Sequence, residues 1–195
     1  MPARSDAFTI RPATREDAAA LRQMLDAIVR RGGTTAIERT PGVVELADWF
    51  IDGEGCLACF VAESAGGSDL LPTADGDPAD GSTTSGAPPA GGVSLGFQAI
   101  GTHDTLPSGC ADIATYVRIG LHGHGIGTAL FEHTLNRARE LGLDALNATI
   151  RADNADGLAY YSGLGFAEHA TARDMPLTDG TPVDRVSKRF PLGTA

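Results

Sequence analysis

The chain has 195 residues, of which 42% are hydrophobic and 21% charged, a balance typical of a globular protein with one domain. Fifteen Lys and Arg against 25 Asp and Glu give a formal net charge of -10, and the basic residues form no cluster, so we expect no nucleic-acid partner. No apolar run approaches the roughly 20 residues of a membrane span, and the first residues lack the apolar core of a secretory signal. We therefore expect no membrane partner and a cytoplasmic location, where the three cysteines would stay reduced.

The first third of the chain reads as a strand, two helices and a second strand. A short strand, FTIRP, precedes Thr14 and Asp17, which have the spacing of a helix N-cap pair, and apolar residues then recur at helical spacing until Gly32. A second helix is predicted over 41–51, with Thr40 as its cap. The apolar run 56–62 is predicted to be a buried strand.

Residues 64–92 have an unusual composition between the strand at 56–62 and the next one at 93–100. They are largely Gly, Pro, Ser, Thr, Ala and Asp, without Lys or Arg and with almost no large apolar side chains. Such a segment buries too little surface to offset the entropy lost on ordering. We predict a flexible insertion between two hairpin neighbours within a single domain that spans 1–195, with an interdomain linker as the alternative.

The rest of the chain alternates between strands and helices. Strands are predicted over 111–119, 145–150 and 183–190 and from Gly165-Phe166 onward, and helices over 125–141 and 155–164. Alternating apolar residues in 111–119 favour a strand with one buried face. The order indicates a mixed α/β protein with a strand, glycine loop, helix and strand at its centre.

The glycine loop lies in the stretch GLHGHGIGTALF, residues 120–131. Gly123, Gly125 and Gly127 sit where a strand ends and a helix begins, so unpaired N–H groups and the positive end of the helix dipole favour a bound phosphate or pyrophosphate. The alternative is a turn that lets the helix pack closely on the strand. A nucleotide-hydrolysing loop is excluded because no Lys precedes Thr128, whereas a dinucleotide site stays open, with Arg151 available for a 2′-phosphate.

Between Asp112 and Phe166, and more loosely over the whole chain, the sequence resembles the GCN5-related N-acetyltransferases. HGHGIG (122–127) is similar to their acetyl-CoA signature, with His122 where Arg or Gln is usual, and DNADGLAYYSGLGF (153–166) is similar to their downstream signature. TTAIERTP (34–41), followed by Trp49, and DIATYV (112–117) are closest in pattern to phosphinothricin acetyltransferase-like members.

This resemblance implies the GNAT fold, a mixed and mostly antiparallel sheet of six to seven strands with helices on both faces. It implies acetyl-CoA as co-substrate, no metal, and transfer of the acetyl group to a primary amine of a small molecule by direct attack in a ternary complex; a homodimer is left open. The resemblance implies that the pantetheine arm contacts Thr115, Tyr116 and Val117 and that Asn154 binds the cofactor further along. The pyrophosphate would be bound by the loop residues Gly123, His124, Gly125, Ile126, Gly127 and Thr128.

Two side chains are candidates for proton transfer. Asp112 would act as the base, directly or through water, and N–H groups around Tyr116 and Val117 would stabilise the oxyanion if the strand splays there. The resemblance implies that Tyr161 acts as the acid, because it stands where many family members carry that group. Adjacent helical residues point about 100° apart, so only one of the two tyrosines can face the site, and the spacing to Gly165-Phe166 favours Tyr161 over Tyr160. The alternatives are an ordinary strand acid and two core tyrosines.

Two other function classes stay open beside this interpretation, a non-catalytic acyl-CoA-binding sensor and a dinucleotide-dependent oxidoreductase. Cys56 and Cys59 form a CxxC, but residues three apart on a strand point to opposite faces, so we interpret them as core cysteines. His122 and His124 flank Gly123 but lack the further ligands of a metal site. His103 is interpreted as a solvated loop residue, with a position near the acceptor as the alternative.

Overall fold

A computed structural model describes residues 7–65 and 92–193. Its strands are β1 (Phe8–Pro12), β2 (Cys56–Ser64), β3 (Ser94–Gly101), β4 (Cys110–Val117), β5 (Ala145–Arg151), β6 (Ala167–Pro176) and β7 (Pro182–Pro191), and its helices are α1 (Ala18–Arg31), α2 (Val43–Phe50), α3 (Ile126–Glu140) and α4 (Ala155–Gly163). The strands form one seven-stranded sheet in the order β1-β2-β3-β4-β5-β7-β6. Within it β4 and β5 run parallel and the other neighbours antiparallel, which confirms the predicted mixed, mostly antiparallel sheet.

Helices cover both faces of this sheet. Val61 and Phe97 pack with α1 and α2 on one face, whereas Ile113 and Leu146 pack with α3 and α4 on the other. We call these the α1 face and the α3 face. The predicted single buried face of β4 is wrong, because this central strand also packs Tyr116 against the α1 cluster.

The helix starts follow local capping chemistry. A single 3-10 turn, Arg15–Asp17, leads into α1, and the Asp17 carboxylate accepts the N–H of Thr14 at 2.8 Å, in keeping with the predicted pair. The cap predicted for the second helix is wrong. That helix begins at Val43 with Gly42 as its N-cap, while the Thr40 hydroxyl donates to Asp26 at 2.7 Å and ties the segment to α1.

The strands on either side of the predicted insertion are hairpin neighbours. Glu63 pairs with Ser94, and the N–H of Ser64 donates to the carbonyl of Val93 at 2.9 Å. Residues 66–91 lie outside the described part of the chain. The single domain and its flexible insertion therefore stay predictions. None of the helices within the described ranges is long and apolar enough to span a bilayer.

Candidate active site

The centre of the sheet opens between β4 and β5. The two strands pair at Cys110–Ala145, Ala111–Leu146 and Asp112–Asn147, and the described register ends there although β4 continues to Val117. Just beyond β4, the N–H of Arg118 donates to the carbonyl of Leu95 on β3. Because backbone direction alternates along a strand, the N–H and C=O groups of Ile113, Thr115 and Val117 point away from β3. These groups line the gap between β4 and β5. The prediction of oxyanion stabilisation required the two strands to separate near Tyr116 and Val117, and their pairing ends before these residues.

The three residues predicted to contact the pantetheine arm differ in orientation. Thr115 and Val117 direct their backbone groups into the gap. Tyr116 directs its backbone toward β3 by the same alternation, and its ring stacks on Phe97 on the α1 face with 4.8 Å between centroids. Burial raises the pKa of Tyr116 to about 12. The geometry therefore favours Thr115 and Val117 over Tyr116 as contacts of the arm, and the contact predicted for Tyr116 stays a prediction.

Helix α4 places two adjacent tyrosines on the α3 face with different partners. The Tyr161 hydroxyl lies 2.9 Å from Thr115 Oγ1 and donates to the carbonyl of Ile113 at 3.3 Å, at the edge of the gap. The Tyr160 hydroxyl donates to the carbonyl of Gly127 at 2.8 Å. Burial raises the pKa of Tyr160 to about 12 and that of Tyr161 further, so both hydroxyls keep their protons at neutral pH.

The glycine loop presents open backbone at the start of α3. Gly123 and Gly125 have φ of +80° and +82°, and a Cβ added to either would meet no heavy atom within 4 Å. Since Ala129 makes the bond to Gly125 O, the N–H groups of Ile126, Gly127 and Thr128 precede the intrahelical ladder and point out of the helix end. These observations fit an anionic group such as a pyrophosphate.

Two members of the loop have further constraints. The His124 ring nitrogen Nδ1 lies 3.1 Å from the carbonyl of His122. A Cβ at Gly127 would lie 2.9 Å from Cε2 of Tyr160, so that glycine makes room for the tyrosine ring. The loop therefore combines an exposed backbone with a packing contact to α4.

Asp112 lies on the α1 face, on the other side of the sheet from Tyr161. Its Oδ1 accepts a hydrogen bond from Asn147 Nδ2 at 2.6 Å, and its Oδ2 lies 3.6 Å from His103 Nε2. The side chain is 36% exposed, so the carboxylate is held in place but reachable from solvent. The contact shows that the interpretation of His103 as a solvated loop residue was incomplete.

Asn154 has a structural role that its motif did not reveal. It caps α4 by accepting the N–H of Gly157 at 2.9 Å, and its amide donates to the carbonyl of Thr34 at 2.8 Å. The side chain thereby joins α4 to the segment between α1 and α2. Its predicted contact with the cofactor stays a prediction.

Two polar residues near the gap were missed by the sequence analysis. Gln98 is fully buried on β3 and donates to Thr115 Oγ1 at 2.8 Å and to Tyr160 Oη at 3.3 Å. Asn147 holds Asp112. The signal in both cases was a single amide side chain inside a largely apolar strand, VSLGFQAI or ALNATI.

The cysteines in the described part of the chain are free thiols. Cys59 and Cys110 are buried and Cys56 is partly buried, and burial raises the pKa of Cys59 well above its usual range. Residues 7–65 and 92–193 hold no cluster of three or more His, Cys, Asp or Glu that could bind a metal ion. The interpretation as core cysteines is therefore confirmed for Cys59, whereas Cys56 is only partly buried.

Comparison with known proteins bears on this geometry. Residues 84–166 match the family model described as the acetyltransferase (GNAT) family. Over 57 residues the chain is 40% identical to the [ribosomal protein bS18]-alanine N-acetyltransferase of Escherichia coli strain K12, a match that covers 29% of this chain and 38% of that protein. The matched part of the chain thus spans 38% of the length of this curated relative.

Solved structures share the architecture over nearly the whole chain. The yncA protein of Salmonella typhimurium, solved with its cofactor acetyl-CoA, is 19% identical with a TM-score of 0.72 and covers 96% of this chain and 95% of its own. The phosphinothricin acetyltransferase of Sinorhizobium meliloti in complex with acetyl-CoA is 18% identical with a TM-score of 0.71 and covers 96% and 89%. At these identities the likeness establishes the fold. Together with the family-model match, it shows that residues 84–166 are similar to the acetyltransferase (GNAT) family and that the fold of the chain is the one these structures share.

Proposed function

We propose that the protein is an acetyl-CoA-dependent N-acetyltransferase that acts on a primary amine of a small molecule by direct attack in a ternary complex. The observation that carries this proposal is the gap between β4 and β5, which has Asp112 on one face of the sheet and Tyr161 on the other. An acceptor and an acyl donor can therefore approach each other from opposite sides of one opening.

The donor is proposed to bind along the α3 face. Acetyl-CoA would supply an activated acetyl thioester. Thr115 and Val117 offer backbone groups to the pantetheine arm. The pyrophosphate is proposed to lie against the open loop, whose contributing residues are Gly123, His124, Gly125, Ile126, Gly127 and Thr128.

The chain's own groups would move the protons. Asp112, directly or through water, takes one proton from the acceptor's ammonium group and so frees the lone pair that forms the new C–N bond. Tyr161 gives its hydroxyl proton to the sulfur as the C–S bond breaks. The acceptor nitrogen then releases its second proton, which restores the hydroxyl of Tyr161. The N–H of Val117 faces the gap and would stabilise negative charge on the carbonyl oxygen.

The acceptor is proposed to lie against polar residues of the α1 face. Asp112, Asn147 and Arg189 occupy one cross-strand row, and Thr149 and Ser187 occupy the next with their hydroxyls 3.5 Å apart. The α-amino group of a protein N-terminus is the second candidate acceptor. It is favoured by the 40% identity over 57 residues to an enzyme named for an alanine of ribosomal protein bS18.

Thiol release from acetyl-CoA across a panel of small primary amines and an alanine-initiated peptide tests these assignments. We expect release that depends on a small amine. Release with the peptide alone would replace the small molecule by a protein N-terminus. A sensor would gain thermal stability from acetyl-CoA without thiol release, and an oxidoreductase would gain it from a dinucleotide instead. A cytoplasmic location and a homodimer stay predictions.

A further inference from the structure

Gln98 is a buried amide that the reaction above does not use. It is 0% exposed in the middle of β3, and its Oε1 has no hydrogen-bond partner within residues 7–65 and 92–193. An unmatched buried acceptor lowers stability, which an apolar side chain of similar size would avoid. The amide therefore needs a reason other than packing.

The partners of Gln98 fix the direction of its hydrogen bonds. The Tyr160 hydroxyl donates its proton to the carbonyl of Gly127 at 2.8 Å. In its 3.3 Å hydrogen bond with Gln98 the Tyr160 oxygen can therefore only accept. The amide nitrogen must consequently face Tyr160, and it also donates to Thr115 Oγ1 at 2.8 Å. One side chain thus supplies both donors.

The second bond continues to the candidate acid. Since Thr115 Oγ1 accepts from Gln98, its own proton is free for the Tyr161 oxygen at 2.9 Å, and the Tyr161 proton then points to the carbonyl of Ile113 at 3.3 Å, beside the gap. The result is a chain of donors that runs from Gln98 through Thr115 to Tyr161.

Building on the proposed function, we propose that Gln98 is a positioning residue with two branches: through Thr115 it aims the proton of Tyr161 into the gap, and through Tyr160 it holds Gly127 at the start of α3. The Thr115 branch acts on the chemical step. The Tyr160 branch acts on cofactor binding, because Gly127 belongs to the loop proposed for the pyrophosphate.

The Thr115 branch would stabilise the Tyr161 oxygen after its proton has moved to the sulfur. Burial disfavours a phenolate, which is why the pKa of Tyr161 is raised. A hydroxyl that already donates to Tyr161 Oη makes a stronger, charge-assisted bond once that oxygen is negative, and the donor from Gln98 polarises it further. Removing Gln98 should therefore slow the proton transfer to sulfur.

The central experiment compares Gln98→Met with variants that cut one branch each. Gln98→Met keeps the volume and removes both donors, and we expect about fivefold lower kcat and about fivefold higher KM for acetyl-CoA, the size of single hydrogen bonds. Thr115→Val should lower kcat alone, and Thr115→Ser should restore it. Tyr160→Phe should raise KM alone and weaken the affinity for coenzyme A, measured by titration calorimetry without turnover.

Controls separate positioning from general damage. Gln98→Met also removes the unmatched acceptor, so its Tm should stay within about 4 °C of wild type. In a Tyr161→Phe background it should lower kcat no further, because it acts through that hydroxyl. Thr134→Val removes another buried unmatched hydroxyl on α3 and should leave kcat, KM and the affinity for coenzyme A unchanged.

Wild-type kcat, KM and coenzyme A affinity in Gln98→Met would overturn the proposal. Wild-type kcat in Thr115→Val would overturn it as well, even if Gln98→Met did not fold. If the wild-type protein released no thiol with any amine, the proposed function would fail and the Thr115 branch with it. The Tyr160 branch would still be decided by the coenzyme A affinity of Tyr160→Phe.

Discussion

The Asp112 carboxylate is held in place on the α1 face, where solvent and a proposed acceptor can reach it. Asn147 fixes one carboxylate oxygen at 2.6 Å, and the other lies 3.6 Å from His103 on the solvent side. A carboxylate oriented by an amide and left partly exposed is suited to accept a proton directly or through one water.

Asp112→Asn tests this role at the scale of a single residue. The change keeps the size of the side chain and removes the group that accepts the proton, so we expect kcat to fall by about 100-fold, within the range of general acid–base catalysis. Steady-state kinetics with a saturating amine measure it. Asp104→Asn, an exposed acid in the preceding loop, is the matched control and should stay within about twofold of wild type. An Asp112→Asn enzyme with wild-type kcat would contradict the assignment.

Individual residues were predictable from the sequence where a local motif specifies them. Adjacent strand residues point to opposite faces, and the structure accordingly has Ile113 in the α3-face cluster and Asp112 bonded to Asn147 on the α1 face. The contacts of Gln98, Asn147 and His103 depend instead on strand register and loop position, which bring together residues far apart in the chain. No local pattern specifies such pairings, so these partners could not be identified in advance.

At the scale of elements, the start of α3 is coupled to α4 through one close contact. A Cβ at Gly127 would lie 2.9 Å from Cε2 and 3.1 Å from the hydroxyl of Tyr160. Gly163 is the last residue of α4, and a Cβ added there would meet no heavy atom within 4 Å, so this position is free to accept a side chain. The two glycines therefore differ in what they permit.

Gly127→Ala should displace the Tyr160 ring and break its bond to the Gly127 carbonyl. We expect KM for acetyl-CoA to rise about fivefold, as for the loss of a hydrogen bond. Gly163→Ala should leave KM unchanged and stabilise the fold by about 0.5–1 kcal/mol, the usual gain of Ala over Gly in a helix. Equal KM values in the two variants would show that the close contact has no part in cofactor binding.

The start of α1 depends on a partly buried carboxylate, that of Asp17. The Arg11 guanidinium, bonded at 2.7 and 2.8 Å, holds the pKa of Asp17 below its usual value, and the N–H of Thr14 adds to this. A lowered folded-state pKa means that the stabilisation is present above the unfolded value of about 3.9 and is lost as pH falls through the folded one.

Asp17→Asn should therefore destabilise the protein at neutral pH and much less in acid. We expect a Tm about 2–4 °C lower at pH 7, the effect of roughly 1 kcal/mol in a chain of this size, and a smaller difference near pH 3. Melting curves at both pH values measure it. Glu16→Gln, an exposed acid in the same turn, is the control. A difference that grew in acid would reverse the assigned sign.

Elements were predictable where side-chain period and capping residues agree. The order of strands and helices follows from periodicity, and Thr14 with Asp17 marks the start of α1. The start of α2 was missed because Thr40 is used in a contact with Asp26, which lies on another helix. Tertiary contacts thus override the local signal at that end.

At the scale of the whole molecule, one sheet would separate the proposed donor site from the proposed acceptor site. The parallel register of β4 and β5 ends at Asp112, and the two faces beyond it carry different chemistry, a glycine loop with tyrosines on one and polar strand residues on the other. The family resemblance predicted this architecture. The row formed by Asp112, Asn147 and Arg189 required the register itself.

The predicted insertion is testable as a property of the whole chain. Its flanking residues are already joined, since Ser64 and Val93 exchange bonds of 2.9 Å. Replacing residues 66–91 with Asn-Gly-Ser should therefore leave Tm within about 4 °C and kcat within about twofold. Collapse of the fold or of activity would contradict the prediction that residues 64–92 are a flexible insertion within one domain.

The most direct test of the central claim is the fate of an isotopically labelled acetyl group. The protein is incubated with labelled acetyl-CoA and the amine that supports thiol release, and the products are identified by mass spectrometry. We predict the label on the amine nitrogen in an amount equal to the thiol released, and its loss in Asp112→Asn. Label found only in free acetate, or still bound to coenzyme A, would contradict acetyl transfer to an amine.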